Sequence, residues 1–588
     1  MSNLLSMLNT GVTGLFAAQA QIDVTGHNIA NINNPTYSRQ TVNLASQFYQ
    51  TDGYGDFGRG VKVVEVIRVY DTLLARTLRS EMSALSYWTS TQSTLGEIRM
   101  YFNELEKGSG LGEALRNYFD AWQDLSTATD FTDDSYIKRT QLLACATTLA
   151  TQIRDDRAMF TDLQDKIDYR LKGYVDEINT YAQGIAELNQ KILSVEAGGR
   201  YNANDLRDQR DALVNLMSTL AGVNVIERPN GEYAVYVGGE PMVDGAKSFP
   251  LSLQKNSENG DHYDIVWSTG DYYSKGTVIT DRISGGVIQA DIKMRDEIIK
   301  NYIAELDSLA HTLIAETNKV HVSGQGLVRY SNLSSTNAVE NPEYRLNREP
   351  GIFPYQVKAG TFQIEIYDES DPDNKVLVTT FNIEIDPAKD TLNGVAEKIS
   401  SADGSFGGGV LEATVNRDGT IKVFVAEGYT FAFGDDTSDF LVAAGFNNFF
   451  QGSSAADITV DSHIENNPQY IAAAKSGAPG DNRNALAMIE VKFATVMVGS
   501  SISIDEFYGY FSGQIASDKQ QVDIFVVTKQ MTYTQYSEKM EQIKGVSMEE
   551  EQVNLVLFQR IFEANSRYIN AIDEMLSTIV NKLGIVGR

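Results

Sequence analysis

The residues able to do covalent or metal chemistry are few and scattered. Five histidines, His27, His262, His311, His321 and His463, are spread over 588 residues. His311 and His321 fall on one predicted helix, but ten residues apart, too far to share an ion. Each histidine reads as a structural or surface residue. The single cysteine, Cys145, excludes an internal disulfide and a thiolate zinc site. Set in QLLACATTLA, it reads as a small core residue. Asp368, Glu369, Asp371 and Asp373 lack the glycine and distal glutamate of an EF-hand loop and read as a solvated turn. GSGLG, Gly108–Gly112, follows a predicted helix rather than a strand, which argues against a dinucleotide fingerprint. There is no HExxH, GxSxG, P-loop or CxxC. With 78 acidic residues, near carboxylate pairs are inevitable, so spacing carries no glycosidase argument. The RDQRD run, Arg207, Asp208, Arg210 and Asp211, reads as a solvated or interhelical ion-pair face. The expectation is no enzyme, no catalytic residue, no cofactor and no metal.

Composition narrows the field further. The formal net charge of −29 opposes binding to nucleic acid or anionic lipid, which depends on clustered Lys and Arg. Copies should repel one another unless specific contacts override the charge. No stretch approaches the ~18 apolar residues of a membrane span, so no membrane insertion is expected. Before Arg39 there is no Lys or Arg, and Leu4, Leu5, Met7 and Leu8 soon give way to Asn9, Thr10 and Gly11. That start does not fit a cleavable secretory signal.

The strongest pattern lies at the two ends. A 4-3 spacing picks out Met1, Leu5, Leu8, Val12, Leu15, Gln19, Ile22, Gly26 and Ile29. The same spacing picks out Leu555, Phe558, Phe562, Asn565, Ile569, Ile572, Leu576, Ile579 and Leu583. A period of 3.5 keeps one seam turned towards a partner helix, and a lone Asn within it can fix register. The N-terminal helix is weak by itself, because Gly11, Gly14 and Gly26 each cost ~1 kcal/mol relative to Ala in a helix interior. Such a helix needs a partner, in this chain or another.

Between the ends, helical patterns cover Asp71–Glu106, Leu111–Leu125, Tyr136–Arg157, Gly286–Val320 and Asn484–Lys544. A further seam runs from Ile167 to Val195 and stops at Gly198 and Gly199, and Asn204 is the expected cap of a helix to Leu220. Two strand-like regions interrupt them. Val223–Ser284 has turn signals at Asn230-Gly231 and Asn259-Gly260, and Tyr330–Gly480 has them at Asp403-Gly404 and Asp418-Gly419. The expected fold is α+β and multidomain: a long antiparallel helical stem, coiled-coil-like terminal helices and inserted antiparallel β domains. Its parts are 1–45 with 546–588 as a terminal-helix domain; 46–222, 285–329 and 481–545 as the stem; 223–284 as a small β insertion; and 330–480 as an outer β domain.

GLFAAQAQIDVTGHNIANINNPTYSRQ, Gly14 to Gln40, resembles the signature of the bacterial flagellar rod–hook axial family. Asn28, Asn31, Asn34, Pro35 and Tyr37 carry that likeness: an Asn-rich turn after an amphipathic helix, then a strand entry. Asn33-Asn34-Pro35-Thr36-Tyr37 stands where the usual wording is Thr-Pro-Gly-Tyr, and Asn34-Pro35 still forces a turn. Gly58 to Arg79, Leu115–Ser126, Leu206–Val223, Gly480–Val491 and Gly545–Val580 resemble the strand-to-helix passage, stem helices and C-terminal tail of members at the hook–filament junction. The region ~330–480 resembles nothing nameable.

The resemblance implies a structural component of the bacterial flagellum, an adaptor ring joining hook to filament. It implies passage as an unfolded chain through the flagellar type III export apparatus, and an extracellular location at the hook–filament junction. The implied partners are further copies of itself, the hook protein, a second hook–filament junction protein, and an export chaperone at the C-terminal helix. Leu5, Leu8, Val12, Leu15, Ile22, Ile29 and the seam from Leu555 to Leu583 are the candidate assembly interface. The alternatives are a hook- or filament-type axial subunit, or a surface hydrolase or surface-binding module in 330–480.

Overall fold

The helices follow from periodicity and from identifiable caps. A computed structural model describes residues 2–580 except 48–49, 53–54, 103–109, 131, 200, 271–275, 349–350, 370–375, 406–408, 477, 479 and 498–501. Its helices are α1 (Ser2–Ala30), α2 (Thr72–Tyr101), α3 (Leu111–Leu125), α4 (Asp133–Glu196), α5 (Asn204–Leu220), α6 (Gly286–Lys293), α7 (Lys300–Val322), α8 (Leu392–Ser401), α9 (Phe440–Ala444), α10 (Ser462–Asn466), α11 (Arg483–Val491), α12 (Ile504–Lys544) and α13 (Met548–Thr578). Small antiparallel sheets lie between them. This is an α+β chain of long helices and inserted sheets.

Four sequence expectations change. The stretches Tyr136–Arg157 and Ile167–Val195 are one 64-residue helix, α4, because neither Gly nor Pro interrupts the sequence between them. The Gly286–Val320 stretch is broken by a π-helical segment, Met294–Ile299, within which Arg295 is fully buried. The Asn484–Lys544 stretch splits into α11 and α12. A capping box starts α12: Glu506 N–H donates to Ser503 Oγ (3.3 Å) and Ser503 N–H donates to Glu506 Oε2 (2.9 Å). Asn204 does not cap α5, whose N-cap is Ala203; its amide donates to Val66 O (2.9 Å) instead. Of the expected turns, Gly231, Gly260 and Gly419 have positive φ, whereas Asp403-Gly404 lies in a 3-10 turn after α8. There Asp403 Oδ2 accepts from Val410 and Leu411 N–H. Within the acidic cluster, Asp371 and Asp373 lie outside the described residues.

The chain packs as two units. One comprises residues 1–94, 165–296 and 520–588. It holds α1, α5, α6 and α13, and a hairpin of strands Gln40–Ser46 and Val61–Arg68 in the register Gln40↔Arg68 to Ser46↔Val61. It also holds a four-stranded meander (Val223–Glu227, Tyr233–Val237, Glu240–Asp244, Lys247–Ser248) and a three-stranded sheet over residues 251–278.

The other unit comprises 95–164 and 297–519. Strand Gly360–Asp368 is central between Val376–Ile385 and Tyr429–Asp436, and strand Ile421–Val425 is central between Asn332–Ser334 and Leu411–Val415. Phe362, Ile364, Ile366, Phe431, Phe433, Phe440 and Phe446 belong to one apolar core cluster of that unit. Strand alternation buries Phe362, Ile364 and Ile366 of the 360–368 strand there.

Candidate assembly surface at the paired termini

α1 and α13 pair antiparallel. Gly11 lies against Tyr568 and Ile569, Gly14 against Asn565, and Asn28 against Glu551. The approach is close because two glycines permit it. A Cβ at Gly11 would lie 2.8 Å from Ile569 Cγ1, and one at Gly14 would lie 2.6 Å from Asn565 Oδ1. Gly26 has nothing within 4 Å of that position. Two of the three glycines that weaken α1 are therefore contact positions, a role their low helix propensity hides.

On α13, Leu555, Phe558, Phe562, Asn565, Ile569, Leu576 and Ile579 are half-buried and Ile572 is buried. Met1 and Leu583 lie outside the described residues. Asn565 donates its amide N–H to Ile561 O of its own helix (3.0 Å). On α1, Leu8, Val12, Leu15, Ile22 and Ile29 are half-buried, and Leu5, Gln19 and Gly26 are exposed. The buried positions of α1 are Gly11, Ala17, Ala18, Thr25 and Asn28, on the adjoining face. A stripe count based on large apolar residues cannot find a face made of small ones.

α13 carries a second apolar stripe that this chain leaves uncovered. Val553, Leu557, Ile561 and Met575 recur at helical spacing and are exposed, Val553 at 67% and Leu557 at 51%. Leu5 and Phe16 are the corresponding exposed apolar residues on α1.

Where the helices meet the signature turn, the chemistry turns polar. Asn28 is buried, and its amide makes four hydrogen bonds. Nδ2 donates to Gln40 O (3.0 Å) and Glu551 Oε2 (3.1 Å); Oδ1 accepts from Tyr37 OH (2.7 Å) and Gln40 N–H (2.9 Å). That satisfies the whole capacity of the side chain. Asn31 donates to His27 O (3.0 Å) and closes the helix end. Asn34 Oδ1 accepts from Thr36 N–H (3.2 Å), the turn expected of Asn before Pro. Pro35 O accepts from Lys544 Nζ (3.0 Å). Burial, then the charges of Asp205, Asp208 and Glu551, push the Tyr37 phenol well above its ordinary pKa, so it stays a donor.

Residues that the sequence reading did not single out complete the junction. Glu551, 1% exposed, accepts from Arg39 Nε (2.7 Å), and Arg39 N–H donates to Lys544 O (2.8 Å). The RDQRD run is buried at Asp208, Arg210 and Asp211 rather than solvated. Asp208 accepts from Ser38 N–H and Oγ and from Arg68, each at 2.8 Å. Asp211 pairs with Arg68 (2.6 Å) and Arg79 (3.0 Å). Burial pushes Asp208 above the ordinary carboxylate value, against the pull of Ser38 and Arg68. Arg210 lies 3.4 Å over the Tyr233 ring, and burial lowers its pKa. The two acids thus anchor the strand entry and the hairpin to α5. A sequence signal existed in the alternation of Arg and Asp, but spacing alone could not say that the partners are Arg68 and Arg79.

The arrangement orders backbone and buries apolar surface. Among the described residues no group of three or more His, Cys, Asp or Glu side chains could hold a metal ion, and no helix is long and apolar enough to cross a membrane.

Three family models match the chain. Residues 8–37 match the flagella basal body rod protein model. Residues 95–332 match the flagellar hook-associated protein FlgK helical domain, and residues 540–583 match the flagellar basal body rod FlgEFG protein C-terminal model. The chain is 23% identical over 586 residues to flagellar hook-associated protein 1 of Escherichia coli (strain K12), covering 98% of this chain and 99% of that one. It is 24% identical over 607 residues to flagellar hook-associated protein 1 of Bacillus subtilis (strain 168), covering both in full. The solved structure of the flagellar hook junction protein FlgK from Burkholderia pseudomallei has a similar fold, with a TM-score of 0.50 and 15% identity over 80% of this chain and 100% of that one. With rod-type segments matched at both ends, a hook-associated helical domain matched between them and relatives of that kind along the whole length, the chain is similar from end to end to flagellar hook-associated proteins.

Proposed function

We propose that this chain is a structural component of the flagellum that forms an adaptor ring between hook and filament. The observation that carries this reading is the state of α13: paired along one stripe with α1, yet exposing a second stripe through Val553, Leu557, Ile561 and Met575. A helix with one partner inside the chain and room for another is suited to packing against neighbouring copies. The candidate interface is Leu5, Leu8, Val12, Leu15, Ile22 and Ile29 with the Leu555–Leu583 seam, within a terminal-helix domain of residues 1–45 and 546–588. The seam would order fully on assembly, when neighbours cover what a lone chain leaves in water. The work is mechanical, with no catalytic step.

The partners in this reading are further copies, the hook protein and the second junction protein. Before assembly, an export chaperone would cover the exposed face of α13, and the type III export apparatus would deliver the chain to the extracellular junction. Removing Glu551–Arg588 tests the idea. The truncated protein should keep a folded 95–164 and 297–519 unit by circular dichroism and be absent from purified flagella. Working junctions built from the truncated chain would refute the scheme.

A further inference from the structure

α2 presents a face that the terminal pairing does not use. Arg76, Arg79, Ser80 and Ser83 recur at three- and four-residue spacing and so share one side of the helix. They line a groove of about 710 Å³ with the sheet face that carries Asn224 and Tyr236, which are directly paired across two strands. Arg282 and Gly285 also line it.

Three guanidinium groups converge there, and two are held in place. Arg79 is fixed by Asp211 (3.0 Å) and Asn215 (2.9 Å), and Arg282 by Gly238 O (2.8 Å) and Glu240 (2.5 Å). Arg76 is exposed and has no carboxylate partner among the described residues. Ser83 is 5% exposed, and its hydroxyl is buried without a hydrogen-bond partner. Gly285, at φ +65°, packs directly on that hydroxyl, where no side chain would fit. The Ser83 hydroxyl is sealed beneath Gly285, so what the groove offers is one exposed cation without a carboxylate partner, in a chain with 78 acidic against 49 basic residues.

We infer that this groove receives an acidic segment of a second copy of the chain, with a carboxylate pairing to Arg76. The inference rests on the ring reading above and supplies a contact that the terminal helices do not. Copies that each carry a net charge of −29 repel when set side by side, and the repulsion is relieved where an acid of one meets an unpaired guanidinium of the next. With Arg79 and Arg282 already held by their own partners, the groove is preformed and little ordering cost remains to be met on binding.

The test uses the full-length chain in assembled flagella. Ser80→Cys in a Cys145→Ala background, labelled with a benzophenone maleimide and irradiated, should give chain-to-chain crosslinks. Adding Arg76→Glu should lower their yield at least tenfold, while the monomer melts as before. Crosslinks to a different flagellar protein, or none although the chain is present in the flagella, would overturn the groove contact and leave the ring reading standing. Absence of the unsubstituted chain from flagella would overturn both.

Discussion

α3 and α13 show two uses of one amphipathic pattern. α3 buries nine of its fifteen residues, including Leu115, Tyr118, Phe119, Trp122 and Leu125. α13, at 31 residues, buries only Glu551 and Ile572. Apolar residues recur at helical spacing in both, so periodicity cannot separate them. What differs is supply. α3 lies in a unit whose own residues cover it: Phe449 packs 5.9 Å from Tyr118 and 5.5 Å from Trp122, ring centre to ring centre. α13 meets α1 at Gly11 and Gly14, and its other stripe stays exposed among the described residues. An amphipathic helix therefore states a demand for burial, and only the rest of the structure says whether one copy meets it.

The contrast can be broken most forcefully at Trp122. Trp122→Ala should destabilise the 95–164 and 297–519 unit by about 3–5 kcal/mol, the cost of emptying a filled aromatic site. Leu557→Ala on α13 should change monomer stability by less than about 0.5 kcal/mol yet reduce incorporation into flagella. Equal effects of the two substitutions on thermal melting would erase the distinction.

A second difference concerns pH. His321 is fully buried in the same unit as α3; its Nδ1 donates to Asn447 O (2.7 Å), and its Nε2 accepts from Ala472 N–H (2.9 Å). Burial lowers its pKa from 6.5 to about 4. Below pH 6.5 the unfolded chain takes up a proton that the folded one refuses. Stability is therefore full above that pH and falls as the pH drops towards 4, by about 3 kcal/mol in all. Urea unfolding at pH 7 and pH 4.5 should show the loss, and His321→Gln should flatten it.

The smallest effects separate the glycines of α1. Gly26→Ala should stabilise the helix by ~0.5–1 kcal/mol, since its Cβ position is open. Gly11→Ala should give no such gain, because the methyl meets Ile569. Thermal melts of the two variants that rise together would mean that the close approach of α1 and α13 is absent.

Legibility in the sequence follows the same line. The half-buried stripe of α13 stands out because its contacts use Leu, Ile and Phe. The contact points of α1 do not, because Gly11 and Gly14 register as weak helix formers rather than as an interface. The signature turn shows Asn34 and Pro35 through local turn chemistry, whereas the partnership of Asn28 with Glu551 spans 523 positions and leaves no local trace. The buried role of Asp208 and Asp211 depends on Arg68 and Arg79, residues more than a hundred positions upstream. The π-helical segment around Arg295 is equally silent, since one extra residue in a helical turn hardly disturbs an apolar repeat.

The fourfold bonding of Asn28 also gives the chain a means of checking its own completeness. The amide draws Tyr37 and Gln40 from one end and Glu551 from the other. Three of these four bonds come from within the first 40 residues, and the fourth needs a residue 523 positions away. Any copy cut short before that point is left with an open clasp: Arg39 without its acid and the Asn28 amide with one N–H unanswered. A mechanical joint gains from this arrangement, since only a copy that reaches Glu551 can tie the two segments into one knot.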